Sequence, residues 1–228
     1  MKIRWIGQNG YQLKTANSEI LIDPYLSDIV NRYEGRERLV PCAIDPKTIR
    51  VDAVVCTHNH IDHLDPDAAE EMPVDQRFIT TGEGLETLKK MGKTNAEVIT
   101  VGQTVQVGDF TITAVFADHP CEVFGVIAEA EGMKLYFSAD SLFNEKLFEI
   151  AAYKPDISII CINGKLGNMD YHEAAITVQK IGAKVNIPTH YGMFASNTED
   201  PAKFTTEVPN SFVMEFNTEY DVAEILKA

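Results

Sequence analysis

The run Thr57-His58-Asn59-His60-Ile61-Asp62-His63-Leu64-Asp65-Pro66 constrains this chain more than any other stretch. Four potential metal donors, His58, His60, Asp62 and His63, fall within six positions. The segment before them, Val51 to Cys56, is apolar and β-branched, which predicts a buried strand. Asp65-Pro66 after them predicts a helix with an Asp cap and Pro in its first turn. The donors therefore sit on a strand-to-helix turn, where a scaffold can hold them rigidly. Three imidazoles and a carboxylate on one short loop crowd each other unless a cation joins them. Nitrogen with carboxylate oxygen suits Zn, Mn or Fe better than the oxygen-only cages of Ca or Mg.

The 228 residues are enough for a full core, and one domain over 1–228 is expected. The formal charge of −14 disfavours nucleic acid as a partner, because a polyanion is repelled by such a surface. No run of eighteen apolar residues is present, so no membrane partner is expected. The N-terminus reads directly as a strand, which makes the cytoplasm the expected compartment. A homo-oligomer is the default for such a chain. Four cysteines, Cys42, Cys56, Cys121 and Cys161, are widely spaced and form no C-x-x-C pair; Cys56 and Cys161 read as buried thiols.

Residues 2–6, 11–15 and 19–22 predict a meander of short strands ending at Asp23-Pro24. Asp23 is either a turn former or a group that orients a donor histidine from behind. Residues 27–50 read as a long loop carrying Arg32, Arg36 and Arg38. Arginine suits phosphate or carboxylate recognition, although Glu34 and Glu37 offer these side chains ordinary partners. Further strands are predicted over 77–80, 97–100, 104–107, 110–116, 123–129, 134–138, 157–162 and 184–187. Helices are predicted over 67–72, 82–91, 144–152 and from the capping box at Asp170-Tyr171-His172-Glu173 to Ile181. The C-terminal part, 197–228, reads as two short helices flanking a strand near 211–216.

Three of the predicted strands empty into further donors: His119, Asp140 and His190. Asp140 can bridge two cations or simply cap the helix that follows. Asn163 lies in a glycine-bearing loop, and His172 in the first turn of a helix; both are candidate substrate contacts.

The pattern H-x-H-x-D-H, followed by a His, an Asp and a His at successive strand ends, resembles the metallo-β-lactamase-fold hydrolases over nearly the whole chain. The stretches YFSADS and IGAKVNIPTHYGMF are most similar to the L-ascorbate-6-phosphate lactonase branch, although this chain lacks that branch's extensions. The resemblance implies an α/β (α+β) fold, a four-layer αβ/βα sandwich with a two-metal site at one edge. It implies two divalent ions, Zn or Mn, with Fe also compatible. His58, His60 and His119 would hold one; Asp62, His63 and His190 would hold the other; Asp140 would bridge them. The implied chemistry is attack by a metal-bridged hydroxide, with Asp62 orienting the water or acting as base. The implied substrate is small and anionic, a sugar-phosphate lactone first of all. The same machinery cleaves phosphodiesters, so a metal-dependent phosphodiesterase is the main alternative, and a non-catalytic metal-binding protein the other.

Overall fold

The computed structural model describes residues 1–227. The chain opens with β1 (Lys2–Gly7), β2 (Gly10–Lys14) and β3 (Glu19–Ile22), then α1 (Ile29–Glu34). Next come β4 (Ala53–Val55), α2 (Pro66–Glu71), β5 (Phe78–Thr80), α3 (Gly82–Lys90) and β6 (Ala96–Val98). A run of antiparallel strands follows: β7 (Thr104–Val107), β8 (Phe110–Val115), β9 (Gly125–Ala130) and β10 (Met133–Phe137). After a 3-10 helix (Glu145–Tyr153) come β11 (Ile157–Cys161), α4 (Tyr171–Ile181) and β12 (Val185–Thr189). The last elements are α5 (Pro201–Glu207), β13 (Glu219–Asp221) and α6 (Val222–Ile225).

These strands form two mixed sheets, ordered β13-β1-β2-β3-β4-β5-β6 and β12-β11-β10-β9-β8-β7. Successive side chains on a strand point to opposite faces, and the burial follows that alternation. Ala53 and Val55 of β4 join Ile112, Ala114, Val126 and Leu135 of the second sheet in one central core. Val54 faces the other way, onto Ala68 and Ala69 of α2, Met72 at its C-terminal cap and Leu88 of α3. On the far side, Val115, Ile127 and Tyr136 pack on Ile150 and Ile181 of the 3-10 helix and α4. The layers are therefore helix, sheet, sheet, helix, the αβ/βα sandwich that the resemblance implies.

Strand direction explains where the donors lie. β3, β4 and β5 run parallel, and so do β10, β11 and β12. β1 is antiparallel to β2, which is antiparallel to β3, so β1 and β3 end at the same edge. The same logic through β9 aligns β8 with β10. The carboxyl ends of β1, β3 and β4 in one sheet and of β8, β10 and β12 in the other thus feed the loops of one edge.

Three expectations need correction. The 27–50 segment contains α1, a short helix closed by Gly35 in the left-handed conformation (φ 67°). The 144–152 helix is 3-10 throughout, capped by Asn144 rather than Asp140. The strand expected near 211–216 is absent; only Ser211 bridges Asn186, and the C-terminal strand is β13 against β1. Phe212, Met214 and Phe216 still pack onto the core, so their period-2 pattern reports burial without a ladder. Among the described residues no helix is long and apolar enough to cross a membrane.

Candidate metal centre

The turn after β4 places His58 and His63 in the interior, both fully buried, with His60 and Asp62 facing a cavity. Asp65 caps α2 through Ala68 N, and Pro66 opens the helix, so both ends of the donor loop are fixed. His119, Asp140 and His190 arrive from the ends of β8, β10 and β12. Two donor groups result. The ligand atoms of His58, His60, His119 and Cys121 all lie within 4.8 Å of one another, as do those of Asp62, His63 and His190. Asp140 Oδ1 stands 3.3 Å from His63 Nε2 and 3.2 Å from His190 Nε2, at the second group.

The proton positions follow from the surrounding hydrogen bonds. Asp23 accepts from Thr57 N (2.7 Å), Thr57 Oγ1 (2.6 Å) and His63 Nδ1 (2.8 Å). Because Thr57 Oγ1 gives its proton to Asp23, it accepts from His58 Nδ1 at 3.0 Å. Both imidazoles thus keep a proton on Nδ1 and turn Nε2 to the site, bare on His58 and, on His63, bare once the imidazolium gives up its second proton. His119 donates Nδ1–H to Gly167 O at 3.0 Å, which bares its Nε2 as well. Asp23, His58 and His63 are also close enough to form a donor group of their own. Asp23 already accepts three hydrogen bonds, so we assign it the orienting role.

The arrangement fits a divalent cation. Ligands bonded at about 2.1 Å in tetrahedral geometry stand about 3.4 Å apart. His58 Nε2 and His60 Nδ1 are 3.1 Å apart, and His60 Nδ1 and His119 Nε2 3.3 Å. In the second group His63 Nε2 and His190 Nε2 stand 3.8 and 4.0 Å from Asp62 Oδ2. His63 Nε2 and His190 Nδ1 are buried without a hydrogen-bond partner. A buried ring nitrogen left so is costly, and at His63 a cation shared with Asp140 removes that cost.

Burial, helped by the neighbouring His63, holds the His58 imidazole well below its usual pKa. Burial and then His119 lower His60 too, so both are neutral ligands near pH 7. At His63 burial again pushes downward, but Asp140, Asp62 and Asp23 outweigh it and hold the imidazolium well above its ordinary 6.5. At Asp140 burial pushes upward, and His190 and His63 reverse it, keeping the carboxylate well below 3.8.

His63 stabilises the metal-free fold fully below about pH 6.5, and that contribution is lost as pH rises through its raised value. Asp140 acts oppositely: its contribution is present above about pH 3.8 and lost as pH falls through its depressed value. A cation needs His63 neutral, so metal uptake releases its proton and affinity climbs with pH. The difference in melting temperature between metal-loaded and chelator-treated protein is therefore expected to widen from about pH 5 to about pH 9. A difference that stays flat would exclude His63 from the donor set.

Backbone strain gathers here as well. Gln8 (φ 52°), Asp23 (φ 43°), Ala139 (φ 57°) and His190 (φ 63°) are all non-glycine residues in the left-handed region, each at or beside a donor. Gly167 (φ 91°) is required by contact: a Cβ there would stand 2.8 Å from His119 Cε1.

Two residues of the site escaped the sequence reading. Gln8 Nε2 donates to Asp62 Oδ2 (2.8 Å) and lies 3.1 Å from His190 Nε2. Asn9 Nδ2 donates to Asp140 Oδ1 at 2.9 Å. The available signal was a polar pair between Gly7 and Gly10, directly after an apolar strand.

The candidate substrate contacts divide. A cavity of about 660 Å³ opens above the donors, and Arg36 lines it while pairing with Glu34 at 3.2 Å. Arg32 does not reach it, being paired with Asp67. Arg38 is consumed by backbone, donating to the carbonyls of Tyr25, Ser27, Val40 and Pro41. Asn163 is buried and ties its loop together through Asn197 Oδ1 and Lys165 O; Asn197 lines the cavity in its place. His172 is exposed and bonded to Glu207 at 2.7 Å, outside the cavity lining.

A two-sheet sandwich with a His/Asp donor cluster at one edge defines a metal-dependent hydrolase of the β-lactamase superfamily. The chain matches the β-lactamase superfamily domain over residues 18–191 and belongs to that family. It is 28% identical over 240 residues to a UPF0173 metal-dependent hydrolase of Oenococcus oeni, covering 97% of this chain and all of that one. A counterpart in Methanopyrus kandleri is 29% identical over 225 residues, 91% of each chain. Among solved structures, the isothiocyanate hydrolase from Delia radicum gut bacteria superposes with TM-score 0.81 at 18% identity, over 97% of this chain and 99% of that one. The metallo hydrolase Igni18 of Ignicoccus hospitalis does so with TM-score 0.75 at 22% identity, over 96% and 98%.

Proposed function

We propose that this hydrolase opens a small carboxylic ester, a lactone with one anionic group, in the cavity above the paired donor groups. The observation that carries the reading is the cavity's make-up: donors at its floor, apolar walls from Val30, Ile61 and Leu166, and one guanidinium, Arg36. A single cation already shared with Glu34 suits one anionic handle on an otherwise compact substrate. A phosphodiester with two nucleoside or sugar arms calls for more positive charge than this wall supplies. The UPF0173 relatives' names specify no substrate, and the isothiocyanate hydrolase is similar in fold at 18% identity, so the lactone rests on the cavity alone.

His58, His60 and His119 would hold one divalent cation, and Asp62, His63, His190 and Asp140 a second. A cation at the second group would acidify water towards a pKa of about 7 and polarise an ester carbonyl. The chain's own residues do the rest. Asp62 faces the cavity with Oδ2 fixed by Gln8 Nε2, and its Oδ1 takes the water proton and returns it to the leaving alkoxide. Asn9 holds Asp140 in place. The apolar walls keep bulk water from the substrate, and Arg36 turns the anionic group away from the donors.

Zinc-loaded protein should be offered a sugar-phosphate lactone, the same lactone without phosphate, and bis-p-nitrophenyl phosphate. Both lactones are expected to turn over, the phosphorylated one with the lower KM. Arg36→Ala should raise that KM about tenfold or more at unchanged kcat, since a charge-assisted hydrogen bond contributes about 1.5–3 kcal/mol. Preferential cleavage of the diester would replace the lactone reading with a phosphodiesterase. Full metal loading without turnover of any ester would leave a metal-binding protein.

A further inference from the structure

We infer that Cys121 is the fourth donor to the cation held by His58, His60 and His119, which closes that site and makes it selective for zinc. The inference deepens the proposed function and rests on its assignment of the three histidines. Two independent observations support it. The Cys121 sulfur lies within 4.8 Å of a ligand atom on each of the three histidines. The hydrogen bonds of Thr57 and Gly167 fix two of those imidazoles with bare nitrogens turned inward, so the group has the form of a three-coordinate site with one corner open. Zinc bonds nitrogen at about 2.0–2.1 Å and thiolate at about 2.3 Å, which sets adjacent N and S donors about 3.6 Å apart. The sulfur's separation from a ligand atom on each histidine, 4.8 Å or less, exceeds that spacing by about 1.2 Å at most. Cys121 is only partly buried, which leaves its side chain room to adjust.

The consequences are chemical. The thiol proton leaves to solvent as the S–metal bond forms, because a coordinating thiol is deprotonated outright. Three imidazoles and a thiolate complete a tetrahedron, and such closed four-donor sites are structural. Water then has its opening at the second group, where Asp62 faces the cavity. A soft sulfur donor also favours zinc and cobalt over manganese, beyond what nitrogen alone provides. Burial and the carboxylates of Glu83 and Asp140 push the free Cys121 thiol up to about 11, so without metal it is protonated near pH 7.

The test uses the full chain, stripped with chelator, kept reduced, and dialysed against Co²⁺ with cobalt content measured separately. Thiolate bonded to Co²⁺ gives an intense near-ultraviolet charge-transfer band that nitrogen and oxygen donors do not. The band is expected to grow with loading, to persist in Cys42→Ala, which removes the exposed thiol, and to vanish in Cys121→Ala. Cys121→Ala should still take up cobalt, and its preference for Zn²⁺ over Mn²⁺ should fall about tenfold or more. Cobalt uptake without the band, or a band that survives Cys121→Ala, would overturn the inference while leaving the three histidines as ligands. Failure to take up any cobalt would overturn it together with the metal reading itself, and the content measurement tells these outcomes apart.

Discussion

Asp140→Asn is expected to lower kcat about a thousandfold or more and to release the cation of the second donor group. The substitution keeps side-chain volume and an oxygen that can still accept from Asn9 Nδ2, so it removes charge and little else. That charge is what the surroundings are built to keep. Asp140 is almost fully buried, a setting that by itself favours the neutral acid, yet His190 and His63 hold it ionised well below the ordinary carboxylate range. The oxygen that accepts from Asn9 is also the one 3.2–3.3 Å from the ring nitrogens, so in the amide it keeps that place, the NH₂ takes the other, and the negative charge the second cation needs is gone. Metal catalysis stabilises the transition state by several kcal/mol, and each 1.36 kcal/mol is a factor of ten in rate. The checks are kcat on the lactone at saturating zinc and zinc content after dialysis. Retained turnover with both cations bound would show that Asp140 only shapes the loop. The melting curve guards against global unfolding: in metal-free protein the variant also strips His63 of a counter-charge 3.3 Å away, and some loss of stability is expected below about pH 6.5.

The donors were legible in the sequence because each is announced locally. His58 to His63 sit on one loop, and His119, Asp140 and His190 each end an apolar strand, so composition and strand direction carry them to one edge. The residues that steady the donors are not announced in that way. Gln8 meets Asp62 and His190 across 54 and 182 positions, and Asn9 meets Asp140 across 131. Nothing near a Gly-Gln-Asn-Gly turn states which carboxylate it will face. The arginines fail for the complementary reason. Sequence shows that Arg32, Arg36 and Arg38 are cations on one segment, but whether a guanidinium is free depends on Asp67 for Arg32 and on four backbone carbonyls for Arg38. His172 reads alike whether it faces a cleft or pairs with Glu207 on the next helix. Patterns of burial, by contrast, survive even where secondary structure was misjudged. Phe212, Met214 and Phe216 alternate as a strand would and do reach the core, while the hydrogen-bonded edge goes to Glu219–Asp221 because those residues lie beside β1.

Asp23→Asn should weaken both cation sites at once, by about 10–100-fold in affinity, although Asp23 binds neither cation in this scheme. Its carboxylate accepts from Thr57 N, Thr57 Oγ1 and His63 Nδ1, and Thr57 Oγ1 in turn accepts from His58 Nδ1. An amide has one acceptor oxygen. If that oxygen stays with Thr57 N, an NH₂ faces two donors, and His63 must move its proton to Nε2, the atom the cation needs. The Thr57 hydroxyl must turn as well, which frees His58 to take the wrong tautomer. Asparagine tolerates the left-handed backbone of this position (φ 43°), so the substitution tests the carboxylate rather than the turn. A donor left unpaired in this interior costs about 1–3 kcal/mol, and the metal-free protein should melt correspondingly earlier. Thr57→Val separates the two branches: it cuts the link to His58 and leaves Asp23 bonded to His63. Calorimetric titration of stripped protein with Zn²⁺ should then show one weakened site in Thr57→Val and two in Asp23→Asn. Equal affinities in Asp23→Asn and the unaltered protein would mean that the imidazoles are held by packing alone, and that the buried carboxylate behind them is a turn former and nothing more.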